Sequence, residues 1–288
     1  MLVSDTFRTH EPIESGRIAL SFSVSSLSES GVRGSQALGL QLQGPFEGHG
    51  SGRLPSFALQ LGLQAGSLTG AGGLQAGLVS TGGQLYLELA GASFVAPPAT
   101  MQALEQGYAR AVGSASSRQS TFALLGAEPG QWLVDPRVVG RQDVAGVETT
   151  VIEAGLDTAR FAADAEKLAG AAGAAGAAGL AGSGPAALAS PGAISSLAGS
   201  LRSARVFVYT GVHDHLLHRI HLQGLVATTP QARAELGGLS RAAVAFTLQF
   251  GGLNQPQAIA APRNPQPISQ LIPALAQLGL VPGSPAGG

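Results

Sequence analysis

Four histidines crowd into one short stretch, His213, His215, His218 and His221, with Asp214 between the first two. His-x-His on a strand puts both imidazoles on one face, a spacing that can chelate zinc. Here His213 to His215 fall in a predicted turn. His218 falls in phase with Ile220 and Leu222, and His221 falls on the opposite face. The four do not converge, so they read as turn and strand-surface histidines and no metal ligand is assigned. Serine chemistry fares no better. Gly48-His49-Gly50-Ser51-Gly52 looks like Gly-x-Ser-x-Gly but is out of register, because position 53 is Arg53, and no strand-elbow-helix pattern surrounds it. Gly70-x-Gly72 lacks the third glycine of a dinucleotide loop, and no Gly-Lys-Ser/Thr occurs. The 17 acidic residues are scattered. Glu88 and Glu153 fall on strands, on the predicted solvent face, and no pair is spaced as acid and base. The reading is of a protein that is not an enzyme and carries no cofactor.

Composition narrows the rest. A chain of 288 residues makes one large domain or two small ones. Charged residues are 11% of it, the net charge is -1 and Lys167 is the single lysine, so the clustered cations that neutralise nucleic-acid phosphates are missing. There is no cysteine, hence no disulfide, thiolate metal site, thiol nucleophile or lipid-acceptor thiol within this chain. Hydrophobic residues at 44% and a mean hydropathy of +0.23 argue for a buried core.

The elements that would position any site are strands. Ile18, Leu20, Phe22 and Val24 alternate with small or polar residues, as do Leu38, Leu40 and Leu42, then Phe57, Leu59, Leu61 and Leu63. Leu74, Ala76 and Leu78 follow, then Leu85, Leu87 and Leu89. Alternation with period two, broken by Gly-rich turns, predicts an antiparallel meander with one apolar face. Pro97 to Tyr108 reads as a helix, Val147 to Ile152 as a strand, and Asp157 as the N-cap of a helix through Lys167. After an Ala/Gly-rich stretch with a short helix near Ala193 to Leu201, strands resume at Val206–Tyr209, Leu216–Thr228 and Val244–Phe250. A short apolar helix from Ile268 to Leu278 precedes a Gly/Pro tail. Nine or ten strands with two or three helices give an α+β fold. The expected organisation is a single domain over residues 1–267, with 168–200 as a low-complexity insertion at one sheet edge and 268–288 as helix and tail. That insertion, interrupted by glycines and ended by Ser183-Gly184-Pro185, is too short to span a bilayer.

Aliphatic side chains on nearly every strand exceed what helices built from Ala159, Ala162, Ala163 and Ala165 would cover. Small side chains beneath a sheet leave volume, and an apolar volume is a binding cavity for something apolar. The other reading of the same face is a filled core with no ligand.

Several segments resemble the actinobacterial envelope lipoproteins of the LppX/LprG type, which belong with the LolA-like carriers. They are Trp132-Leu133-x-Asp135-Pro136, Gly146-Val147-Glu148-Thr149-Thr150-x-Ile152, Gly155-x-Asp157, Val206-x-Val208-Tyr209-x-Gly211 and Asp214-His215-Leu216-Leu217. Gly44-Pro45-Phe46, Leu54-Pro55-x-Phe57 and Ser80-Thr81-Gly82 follow the same order, so the similarity runs over about residues 2–255. The resemblance implies a strongly curved antiparallel sheet, a half-barrel, with helices covering the concave face and a lipid or acylated molecule carried between them. It implies no catalytic residues and no cofactor. The corresponding cavity positions are Leu20, Phe22, Leu40, Leu59, Leu61, Leu78, Leu87, Val151, Val208, Leu222, Phe246 and Leu248. Such proteins carry a signal segment ending in a lipidated cysteine. No signal peptide follows Met1, so an envelope location and a membrane anchor are expected only if such a segment lies upstream, and a cytoplasmic one if Met1 is the true start. The alternative function is an interaction module of the same fold with a filled core.

Overall fold

The computed structural model describes residues 6–7, 13–27, 33–50, 53–64, 74–114, 129–164, 200–227, 241–271 and 273. The N-terminal strands are β1 (Ser15–Leu27), β2 (Arg33–Glu47), β3 (Ser56–Gln64), β4 (Leu74–Ser80), β5 (Leu85–Leu89) and β6 (Ala92–Val95). Helix α1 (Pro98–Ser114) follows, with Pro98 where a missing N–H costs nothing. A 3-10 turn at Pro129–Trp132 leads into β7 (Leu133–Val144) and β8 (Val147–Leu156). Residues 158–164 form helix α2. The chain returns as β9 (Leu201–Gly211), β10 (Leu217–Ala227), β11 (Arg241–Gly251) and the two-residue β12 (Gln266–Pro267), followed by a 3-10 turn at Ile268–Gln270.

All twelve strands belong to one sheet, in the order β12-β6-β5-β4-β3-β2-β1-β11-β10-β9-β8-β7. Every pairing is antiparallel except β12 on β6. Two meanders, β1–β6 and β7–β11, are thus joined at the centre, where β1 pairs with β11 from Arg17↔Gly251 to Ser26↔Ala242. The two edges, β7 and β12, do not pair with each other, so the sheet is an open half-barrel.

Two glycines in the resembling segments are fixed by close approach. A Cβ on Gly44, whose φ is +157°, would lie 1.9 Å from the Ala58 carbonyl oxygen, which is backbone and cannot step aside. A Cβ on Gly211 would lie 1.8 Å from Asp214 Oδ1. That carboxylate closes the β9–β10 turn by accepting the Leu216 N–H and the His218 Nε2 contact.

The strand count exceeds the nine or ten expected. β7 went unexpected because Asp135, Pro136 and Gly140 read as breakers, and because it is a solvent-exposed edge with no alternating pattern. Two register shifts, at Val134/Arg137 and Val138/Gly140, absorb those residues as bulges. The helix expected near Ala193 to Leu201 is corrected at its end, since Leu201 opens β9. The rest of that segment lies outside the described residues, as do the insertion from 168 to 199 and the tail from 274. The 268–278 helix is described only to its first residues, where Ile268 and Leu271 pack on Leu87, Leu89 and Phe94.

Candidate functional site: the concave face

Cross-strand register carries one apolar face through the sheet. Leu20 stands opposite Leu248 on one side and Leu42 on the other, and Phe22 opposite Phe246 and Leu40. Leu42 meets Leu61, Leu59 meets Leu78, and Leu78 meets Leu87. Leu248 meets Ile220, Phe246 meets Leu222, Ile220 meets Val208, and Val208 meets Ile152. Eleven of the twelve cavity positions therefore share this face. Val151 does not. It stands opposite Tyr209 and clusters with Val144 and Phe207 on the other side of the sheet, while Ile152 takes the inward place. The Val147–Ile152 run is apolar in both phases at its end, so alternation alone could not choose.

Among the described residues the helical segments that pack against the sheet lie on this face, and together they roof it unevenly. Over β8–β11, Phe7, Leu156 and Phe161 pack against Ile152, Val206, Val208, Ile220, Leu222 and Leu248, all of which are buried. Phe161 also packs against Val24, Leu201, Val226 and Val244. Over β5–β6, Met101, Leu104 and Tyr108 of α1 pack on Leu85 and Leu78, and Leu271 seals Leu87, Leu89 and Phe94. Burial pushes the Tyr108 phenol up, so it is a neutral group in this apolar cluster. Between these two roofed zones, on β1–β3, lie Leu20, Phe22, Leu40, Leu42, Leu59 and Leu63, all half-buried, and Leu61, which is 38% exposed, with Ala76 and Leu78 of β4, also half-buried, at the border with the β5–β6 zone. None of these strip residues is charged or polar. Phe246, half-buried on β11, borders the strip at Phe22.

The roof over β8–β11 is held by the Asp157 cap that the sequence predicts and by further groups that it did not single out. The indole N–H of Trp132 donates to Asp164 Oδ2 at 3.0 Å, and its ring meets Phe161 edge-on with centroids 5.2 Å apart. Asp157 caps α2, its Oδ1 accepting the N–H of Ala159 and of Arg160. Thr6 and Thr210 share a hydrogen bond of 2.8 Å, with both residues buried. The signal for Phe161 was present: one aromatic in a helix otherwise built from small residues.

Beside the Val144, Val151, Tyr209 and Phe207 cluster, the convex face carries charged and polar groups. Glu153 accepts from Arg137 at 2.9 Å and Arg205 at 2.7 Å, and the Arg137 hydrogen bond leads the effects that hold its carboxyl below the usual range. Arg219 binds Gln249 and lies over the Tyr209 ring. Glu88 also falls on this side, opposite Gly77 and Ser93.

The histidines separate, and His218, read as a turn or strand-surface residue, is instead buried at 2% exposure, on the inward phase it shares with Ile220 and Leu222. His213 and His215 are exposed in the turn, and His218 is buried against Asp214. His221 lies on the convex face with its Nδ1 2.9 Å from Thr247 Oγ1. Among the described residues no group of three His, Asp or Glu side chains could hold a metal ion. His49 Nε2 lies 2.7 Å from Ser56 Oγ, a contact that ties its loop to the buried start of β3. Among the described residues no helix is long and apolar enough to cross a membrane.

No family model and no curated protein matches the chain. Among solved structures it is similar to LprF from Mycobacterium bovis, with 10% identity, a TM-score of 0.44, and coverage of 91% of this chain and 95% of that one. It is similar to the Mycobacterium tuberculosis lipoprotein LppX, with 10% identity, a TM-score of 0.37, and coverage of 90% and 92%. It also matches the MucA/MucB complex of Pseudomonas aeruginosa at 11% identity and a TM-score of 0.26, covering 91% of this chain and 56% of that one.

Proposed function

We propose that the protein is a non-enzymatic carrier that holds a lipid or acylated molecule against the concave face of its half-barrel. The observation that supports this reading is the half-exposed aliphatic strip on β1–β4, flanked on both sides by roofed core. An uncharged apolar strip selects for acyl chain. Each buried methylene contributes about 0.8 kcal/mol, so a long tail binds tightly with no charged contact. The mechanism is passive burial, with entry and exit over the strip, and residues 1–267 acting as one domain. The place of action is the cell envelope.

Native mass spectrometry after gentle extraction tests this. A co-purifying lipid, or uptake of a fluorescent acyl probe by the delipidated protein, is the expected result. A clean apo mass with no uptake overturns the carrier and leaves an interaction module with a filled core. An in-frame Leu-x-x-Cys in the upstream DNA tests the location independently.

A further inference from the structure

We propose that Phe161 is the stop that sets how long an acyl chain the concave strip accepts. The inference rests on the carrier reading and adds a specificity-determining residue to it. The strip has two ends. On the β4 side it meets α1, where Leu78, Leu104 and Tyr108 pack against the buried cluster of Leu54, Leu85, Ala96 and Met101. On the β1 side it meets the roof over β8–β11, where Leu156 of β8 and Phe161 of α2 both pack against the two clusters, and Phe161 is the one of the pair laid over the sheet from a helix. Phe22 of the strip packs against the same cluster of Val24, Leu201, Val226 and Val244 that Phe161 covers. Phe161 is itself only half-buried, although it touches both clusters, so part of its surface is left uncovered. Three strand spacings separate β1 from β4, about 14 Å at the usual strand separation. A chain lying across the strip has no room to continue past β1 while Phe161 stays in place.

The ring is held where a stop needs to be. Its turn of α2 is fixed at one end by the Asp157 cap, whose own N–H donates to the Trp132 carbonyl at 2.7 Å. At the other end Trp132 donates to Asp164. The Trp132 ring abuts Phe161 at 86°, which hinders swinging it aside. A bulky residue clamped on both sides makes a wall. An aromatic on a free loop would give way.

The test measures displacement of a fluorescent acyl probe from the full chain by unbranched fatty acids from decanoate to icosanoate. For the wild type, affinity is expected to rise by about fourfold per methylene and then level off at one chain length. Phe161→Ala is expected to move that levelling point to longer chains, by about two to four carbons, because the space left by the ring admits further methylenes. Phe161→Leu, which keeps an apolar residue on the core, is expected to move it by less and guards against a variant that fails to fold. A merely structural role would weaken all chain lengths by the same factor and leave the levelling point in place. An unchanged levelling point in folded Phe161→Leu and Phe161→Ala overturns the stop while the carrier stands. If the wild type binds none of the fatty acids, the carrier reading falls and the stop falls with it.

Discussion

Leu222 on β10 and Leu61 on β3 are the same residue type on the same face of one sheet, yet Leu222 is 3% exposed and Leu61 38%. Local sequence does not distinguish them, since each sits in an alternating strand. The difference lies in what the chain lays over them. Phe7 and Phe161 converge on the β8–β11 half, and α1 with Leu271 on the β5–β6 end. One face thus serves two purposes: packed core where aromatics roof it, accessible apolar surface where they do not. Exposed contiguous apolar surface costs solubility unless something occupies it, which is why the unroofed part is the part assigned to a ligand.

The sharpest way to break this comparison is to truncate both leucines. Leu222→Ala removes a buried side chain from a close-packed cluster and is expected to cost about 2–5 kcal/mol, because the cavity adds to the lost transfer energy. Leu61→Ala is expected to cost under about 1 kcal/mol, because much of its surface is already in water. Urea melts of the two variants decide it, and equal losses would mean that the strip is core. Gly211→Ala tests the closed half from the turn. Its Cβ would drive Asp214 off the turn amide, and the expected loss is about 2 kcal/mol or more by the same melts.

A charge placed in the strip separates binding from folding. Leu61→Lys is expected to weaken uptake of an acyl probe by tenfold or more, an effect of about 1.4 kcal/mol, with a melting midpoint near the wild type. Gln60→Lys, one residue away on the convex side, is expected to change neither. If both lysines weaken uptake equally, the effect is one of net charge and the strip loses its claim.

How much of this was legible follows from the same contrast. Strands β1 to β5 and β9 to β11 were readable because each has a wet face and a dry face, and period two records that directly. Strand β7 was not, since an edge strand that is exposed on both sides carries no alternation and its Pro136 and Gly140 look like loop. Val151 was misplaced because a one-residue choice of phase has no local signal when neighbouring residues are apolar in both. Alternation put eleven of the twelve positions on one face, but which of them are roofed was not readable. Roofing depends on Phe161 and Trp132, contacts made from far along the chain. Trp132 is the single tryptophan, and Trp132→Phe keeps an aromatic ring while deleting the bond to Asp164, with an expected loss of about 1 kcal/mol in the roofed half by urea melts.

The smallest effect expected is a pH dependence confined to the back of the roofed half. His221 lies on the convex face of β10, opposite Phe207 and Thr247, and burial first, then the Arg219 guanidinium, push its imidazole below the usual value of about 6.5. Below that value the unfolded chain takes up a proton that the folded chain refuses, so folding stability falls with pH. Above it both states are neutral and the contribution is level. The wild type should therefore lose stability relative to His221→Gln as pH drops from about 7 to about 5. The Glu153 carboxyl, held low first by its Arg137 hydrogen bond, titrates below its ordinary range and stays outside this window. The remaining histidines are common to both proteins and cancel. Denaturant midpoints taken across the window measure the difference, and parallel curves would remove His221 from the account. Probe uptake over the same range should not separate the two proteins, because His221 faces away from the strip. A pH-dependent difference in uptake between them would mean that the two faces are coupled through the sheet, and that the roofed half is not the rigid support the carrier reading requires.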